Sequence, residues 1–230
     1  MIGIIGAMQT EVELLISKIE EAEKRTVSGI DFFSGRIENR EVVVAKCGIG
    51  KVFAAICAQT MILEYGVSLI INTGVGGAIS DELEIGDIAV SSAVVQHDMD
   101  TSAIGDPVGL ISGINIIEIP ADKRTADVVM AAADKLSFRC LSGIVASGDR
   151  FVAGAENKKK ISDAFGALVC EMEGAAIGQV CYVNEVPFLV VRAVSDKADG
   201  TSGVDYMTFV ATAAEKNARL VLEALKNIRR

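Results

Sequence analysis

Ile2-Gly3-Ile4-Ile5-Gly6, running directly into Ala7-Met8-Gln9-Thr10-Glu11, is the stretch that decides the fold. Five consecutive isoleucines and glycines offer no polar face, so a strand here must be covered on both sides, the situation of a strand inside an α/β sheet. Thr10 with Glu13 three residues later matches a capping box. It predicts a helix starting near Thr10 that turns Val12, Leu15 and Ile19 inward.

The same alternation continues outward from this segment. Hydrophobic periodicity predicts a hairpin of strands 30–37 and 41–46, a helix over 51–65, and strands over 68–73 and 87–95. Residues 99–112 dissolve into Gly, Ser, Asp and one Pro, a loop of about a dozen residues of the kind that usually has a function. Strand 114–119, helix 122–136, strand 141–147, helix 155–165, strand 167–170, helix 172–183 and strand 187–194 follow. A last helix over 206–227 has a stripe of Met207, Val210, Ala214, Ala218, Val221 and Leu225 facing the core. No repeat or linker divides the chain. The expectation is one domain over 1–230, a three-layer α/β/α fold with a central mixed sheet.

The 230 residues are 50% hydrophobic, enough for a large core, and carry a net charge of −9, which disfavours nucleic acid and anionic membranes as partners. One histidine, His97, and five cysteines without a CxxC pair give a Cys/His metal cage almost nothing to use. Free thiols buried in a reducing compartment are the simpler reading. The first residues lack a basic region, and no apolar run reaches the roughly 20 residues of a membrane span, so a soluble, cytoplasmic protein is expected.

In such sheets ligands bind beyond the carboxyl ends of the strands. Glu11 follows the first strand, Gly74-Val75-Gly76-Gly77 the strand 68–73, Glu171-Met172-Glu173 the strand 167–170, and Ser195-Asp196 the strand 187–194. Each has an ordinary explanation: a glutamate in a first helical turn complements the dipole, and paired glycines make turns. Three acids at three strand ends on one rim do nothing for folding and suit catalysis. Other motifs fail. Ile79 stands where a dinucleotide fingerprint needs glycine. Gly50-Lys51 partly matches a phosphate-binding loop, but Val52 replaces its hydroxyl and Ala45 its first glycine.

Gly3-Ile4-Ile5-Gly6-Ala7-Met8 with Glu11, Ser147-Gly148-Asp149 with Phe151, Glu171-Met172-Glu173, and Arg192-Ala193-Val194-Ser195-Asp196 stand in the order and spacing of one family. In these motifs the chain resembles the 5′-methylthioadenosine/S-adenosylhomocysteine nucleosidases, of nucleoside phosphorylase-like fold. The resemblance implies hydrolysis of the bond between adenine and a 5′-thio-substituted ribose, with no cofactor and no metal. It makes Glu11, Glu173 and Asp196 catalytic. Asp196 would protonate adenine N7, Glu173 hold the ribose hydroxyls and Glu11 take a proton from water. It stacks Phe151 on the purine, sets the Val152 backbone at its edge, lines the ribose with Met8 and Met172, and makes Tyr206 the far wall. Glu171 joins the substrate-binding set, while Ser195 and Arg192 support the acids from behind. A loop of a neighbouring subunit would close the 5′ end, implying a homodimer.

Two departures matter. Val75 stands where phosphorylases of the superfamily use a serine on phosphate. Ile104 and Asp106 stand where aromatic residues often meet the 5′-alkylthio group. A purine nucleoside phosphorylase, a hydrolase of another 5′-modified nucleoside and a non-catalytic nucleoside-binding protein remain open.

Overall fold

β1 (Ile2–Gly6) is buried along its whole length in the computed structural model, which describes residues 1–200 and 202–228. It lies between β4 (Arg40–Lys46) and β5 (Leu69–Ala78) and runs parallel to both. Its side chains alternate between two cores. Ile2 and Ile4 pack with α1 (Gln9–Ser17), α3 (Lys123–Lys135) and α6 (Ser202–Leu225). Ile5 faces α2 (Lys51–Tyr65) and α5 (Gly174–Val183). Helices therefore cover both faces, and the three-layer α/β/α arrangement read from the sequence is the observed one.

The remaining strands are β2 (Glu20–Val27), β3 (Ile30–Ile37), β6 (Ile88–Gln96), β7 (Ile119–Pro120), β8 (Cys140–Ser147), β9 (Val169–Glu171) and β10 (Phe188–Asp196). The sheet runs β10-β6-β8-β9-β5-β1-β4-β3-β2, and β10 pairs with β5 as well, so five strands close into a ring; β1, β4, β3 and β2 extend from it, and β7 pairs with β6. Parallel and antiparallel pairs are mixed. α4 (Ala155–Phe165) covers the end of β8 with Ile161, which packs with Ala146 and Val152.

Four expectations need correction. α1 starts near Thr10 as expected, at Gln9, but its cap is not the Thr10–Glu13 pair: Met8, two residues before Thr10, is its N-cap, and Glu11 supplies the carboxylate that reaches back. β5 does not stop at Thr73 but continues through Gly74-Val75-Gly76-Gly77 to Ala78, because its glycines face other groups at close range instead of turning. The segment 114–119 is not a strand; only Ile119–Pro120 pairs with β6, and one isolated bridge joins Ile111 to Ile116. Met207 is 77% exposed and leaves the stripe of α6; Tyr206 and Val210 are the first residues of that helix to pack on the core. β2 has no counterpart among the predicted elements. It is exposed nearly throughout and carries no apolar alternation; its ladder to β3 holds it. No helix among the described residues is long and apolar enough to cross a membrane.

Candidate active site

A cavity of about 400 Å³ opens where β1, β5, β9 and β10 end, lined among others by Met8, Glu11, Val75, Glu173, Ser195 and Asp196. Glu11 enters it from the first turn of α1. Its Oε2 accepts from the N–H groups of Ala7 (2.7 Å) and Met8 (2.9 Å), and its Oε1 accepts from the Val75 N–H (3.0 Å). A Cβ on Gly74 would stand 2.5 Å from Glu11 Oε1, so the glycine that prolongs β5 is what admits the carboxylate. Burial raises the Glu11 pKa; the nearby Arg192 charge and the three amides work against that shift.

Asp196 ends β10. The pairing of β10 with β5 slips between Val194 and Asp196, a bulge at Ser195 of the type that re-aims a side chain beside a site. Asp196 Oδ2 accepts from the Ser195 hydroxyl (2.9 Å) and Oδ1 from the Ala198 N–H (2.9 Å). Gly77 has no room for a Cβ, which would sit 2.8 Å from Asp196 Oδ1. Burial pushes the Asp196 carboxyl upward against these two hydrogen bonds, favouring the protonated form that a general acid requires.

Glu173 arrives from β9, which runs antiparallel to β5, so the three acids come from strands of both directions. They still meet, because β9 pairs with the last two residues of the prolonged β5. Glu173 Oε1 accepts from the Gly50 N–H (2.9 Å), and Oε2 lies 3.8 Å from the Arg192 guanidinium. Burial is the main reason that its pKa rises to about 8, helped by the Glu171 charge and opposed by Arg192.

Glu171 also lines the cavity, yet its carboxylate is committed elsewhere. It accepts from Arg192 Nη2, the Ser147 hydroxyl and the N–H groups of Glu173 (3.1 Å) and Gly174 (2.8 Å). It thereby satisfies the first amides of α5, whose positive end favours a carboxylate. Arg192 is wholly buried and donates to Asn72 as well as Glu171. Burial works against its charge, but Glu171, Glu173 and Glu11 more than offset that and keep it cationic.

Phe151, Val152, Met172 and Tyr206 line the same cavity. Phe151 meets Tyr206 edge to face at 5.5 Å between ring centroids, and the Tyr206 hydroxyl donates to Met8 Sδ (3.1 Å). Ile104 is not brought here: it sits 82% exposed in a short turn of 3₁₀ helix at Ser102–Ile104. Ile49, Arg150 and Cys170 line the cavity without having been predicted. All three lie next to quoted motifs, Cys170 directly before Glu171-Met172-Glu173, but the residue type of Cys170 does not separate it from an ordinary core thiol. All five cysteines are free, and burial raises every thiol pKa, Cys140 least, to about 11, which leaves them poor nucleophiles.

Residues 1–226 match the phosphorylase superfamily. A 5′-methylthioadenosine/S-adenosylhomocysteine nucleosidase from Shewanella halifaxensis is 39% identical over 228 residues, 99% of each chain. The crystal structure of the enzyme of that name from Neisseria meningitidis, in complex with methylthio-immucillin-A, is 32% identical with a TM-score of 0.95 over 99% of each chain. A futalosine hydrolase from Helicobacter pylori is also similar, at 32% identity and a TM-score of 0.94 over 99% of this chain and 97% of that one. With this sequence and this fold, the chain belongs to the phosphorylase superfamily, among the 5′-methylthioadenosine/S-adenosylhomocysteine nucleosidases.

Proposed function

We propose that the protein hydrolyses the N-glycosidic bond of 5′-methylthioadenosine and S-adenosylhomocysteine, releasing adenine and the 5′-thio-substituted ribose. The observation that carries this reading is the meeting of Glu11, Glu173 and Asp196 in one buried cavity, each with its pKa raised. Asp196 gives its proton to adenine N7, and its other oxygen accepts from the 6-amino group; a 6-oxo purine would offer an acceptor there. As the N9–C1′ bond breaks, positive charge builds on the ribose, and the surrounding carboxylates favour it over the neutral ground state. The oxygen of a water bonds to C1′ while Glu11 takes its proton. Glu173 holds the ribose hydroxyls, Met8 and Met172 flank the sugar, Phe151 stacks on the purine, the Val152 main chain meets its edge, and Tyr206 closes the far wall. Ser195 and Arg192 hold Asp196 and Glu173 in place. Val75 puts an apolar side chain where phosphate would need donors, which supports water as the nucleophile.

The protein acts as a homodimer. α2 and α5 pack side by side and leave Val52, Phe53, Leu63, Tyr182 and Val183 exposed, an apolar face suited to a second copy. The exposed Ile104 would then serve the neighbouring site. Five free cysteines fit a reducing cytoplasm.

Incubation with 5′-methylthioadenosine, with and without phosphate, tests the reading. Free adenine and methylthioribose formed independently of phosphate are expected; a sugar phosphate formed only with phosphate would overturn it. The likeness to a futalosine hydrolase favours one second reading, a hydrolase of another 5′-modified nucleoside, and wild-type protein inactive on methylthioadenosine would turn the search there. Asp196→Asn is expected to lose at least a hundredfold in kcat, the low end of general-acid contributions, while calorimetry still detects nucleoside binding.

A further inference from the structure

We infer that Lys51 is a positioning residue for Glu173, acting through the Gly50 amide, and that it thereby sets how firmly the sugar of the nucleoside is held. This deepens the function proposed above and rests on Glu173 as the sugar-binding carboxylate. Gly50-Lys51 only partly matches a phosphate-binding loop, and the lysine turns not to an anionic ligand but to the protein itself. Its Nζ donates to Asp98 Oδ1 (2.6 Å) and Gln96 Oε1 (3.2 Å), and its backbone N–H donates to Asp149 Oδ1 (2.8 Å). Asp98 Oδ2 accepts in turn from the Asp149 N–H (2.9 Å), and Gln96 Nε2 donates to Gln179 Oε1 of α5 (2.6 Å). The start of α2, the end of β6 and the turn after β8 are thus tied at one point.

That knot adds to the backbone bonds that hold the preceding loop, from the Cys47 N–H to the Gly6 carbonyl (2.9 Å) and from the Gly48 N–H to the Ala7 carbonyl (3.2 Å), and it acts just beyond them, next to Gly50. Gly48 and Gly50 have φ of +97° and +101°, a region that only glycine enters freely, and a Cβ on Gly50 would meet Asp149 Oδ1 at 3.0 Å. The Gly50 N–H reaches Glu173 Oε1 at 2.9 Å only while the loop keeps this shape. Glu173 has another partner to turn to, because Arg192 waits 3.8 Å from Oε2. With the Gly50 amide withdrawn, the carboxylate swings toward that buried cation and away from the sugar. The Lys51 and Asp98 side chains are 19% and 29% exposed, so the pair is partly shielded from the screening that makes open surface pairs worth little.

Lys51→Met and Lys51→Arg test this, with kcat and KM for 5′-methylthioadenosine and the Kd of free adenine as readouts. Adenine carries no sugar and does not need Glu173. Lys51→Met is expected to lower kcat/KM about tenfold, the scale of one hydrogen bond to a charged group, while adenine Kd stays within about twofold. Lys51→Arg, whose guanidinium can still reach Gln96 and Asp98, restores most of the loss. Unchanged kcat/KM in Lys51→Met, adenine and nucleoside weakened alike, or no rescue by arginine would each overturn the inference. Should Lys51→Met not fold, Asp98→Asn removes the same charge pairing and must give the same split between nucleoside and adenine. If wild-type protein does not cleave methylthioadenosine, the function reading fails on its own. The Kd of that nucleoside, compared with that of adenine, then decides the role of Lys51 separately.

Discussion

The Glu173 carboxyl accepts one hydrogen bond, from the Gly50 amide, in a site too dry for its charge, and this has a cost to the fold that can be measured. Its folded pKa is about 8, above the 4.5 of an ordinary glutamate, so at intermediate pH the unfolded chain gives up this proton first. The stability tied to Glu173 is therefore complete below about pH 4.5 and disappears as pH rises through about 8. Glu173→Gln carries no such proton, and its amide oxygen can still accept from Gly50. Urea midpoints should place it above wild type by a margin larger at pH 8 than at pH 5, although its activity falls; an equal margin at both would contradict the pKa. At Gly74 the opposite pattern is expected. Gly74→Ala drives a methyl into Glu11 Oε1 and should reduce kcat/KM on the order of a hundredfold, the effect of an ångström-scale misplacement, with a smaller effect on the thermal midpoint. That Glu11, Glu173 and Asp196 gather at one cavity was legible in the sequence, because three strand ends each carry an acid on one rim of the sheet. Gly50 was not legible as a donor to Glu173, since it comes from 123 residues away in the chain and contributes only its backbone.

Elements were legible where their residues bury a periodic face. α2 and α4 have the predicted bounds, and α3 lies within a residue of them, its N-cap Asp122 accepting from the Thr125 N–H (2.9 Å). Asp122→Ala should cost about 1 kcal/mol by thermal unfolding and leave kcat/KM unchanged, as this cap lines no part of the cavity. The hairpin of β3 and β4 followed from its apolar strands, and its turn uses Glu38 and Asn39 at φ of +50° and +61°. Legibility failed where the structure depends on partners. The glycine-rich half of β5 looks like a turn from its residue types and is a strand because carboxylates and β10 lie against it. Residues 114–119 have the apolar content of a strand, but the neighbouring β6 offers pairing only to the last of them and to Pro120. Thr10 misled for a simpler reason: Glu11, one residue further on, reaches the amides first.

At the scale of the molecule, the apolar face of α2 and α5 gives the proposed homodimer a direct test. Leu63 is 72% exposed on α2, so a charge there stays in water within one chain. Leu63→Asp should leave the thermal midpoint of an isolated chain nearly unchanged yet weaken self-association by about thirtyfold or more, as the loss of a central interface residue does. Sedimentation across a concentration series reads this; association equal to wild type would place the interface elsewhere. The layering on both faces of the sheet was foreseen from the strand and helix alternation, whereas the pairing of β10 with both β5 and β6 was not, because ring closure leaves no local mark. That closure has a consequence for how the protein behaves in a crowded solution. A ring has no margin, so the long open margin left to the sheet is β2, and β2 reads Glu20-Glu21-Ala22-Glu23-Lys24-Arg25-Thr26-Val27. Its free amides and carbonyls are the natural template for a strand of another molecule, but any newcomer must stack against that dense row of charges. The feature that hid β2 from the hydrophobic pattern is thus the one that keeps this sheet from growing into an aggregate.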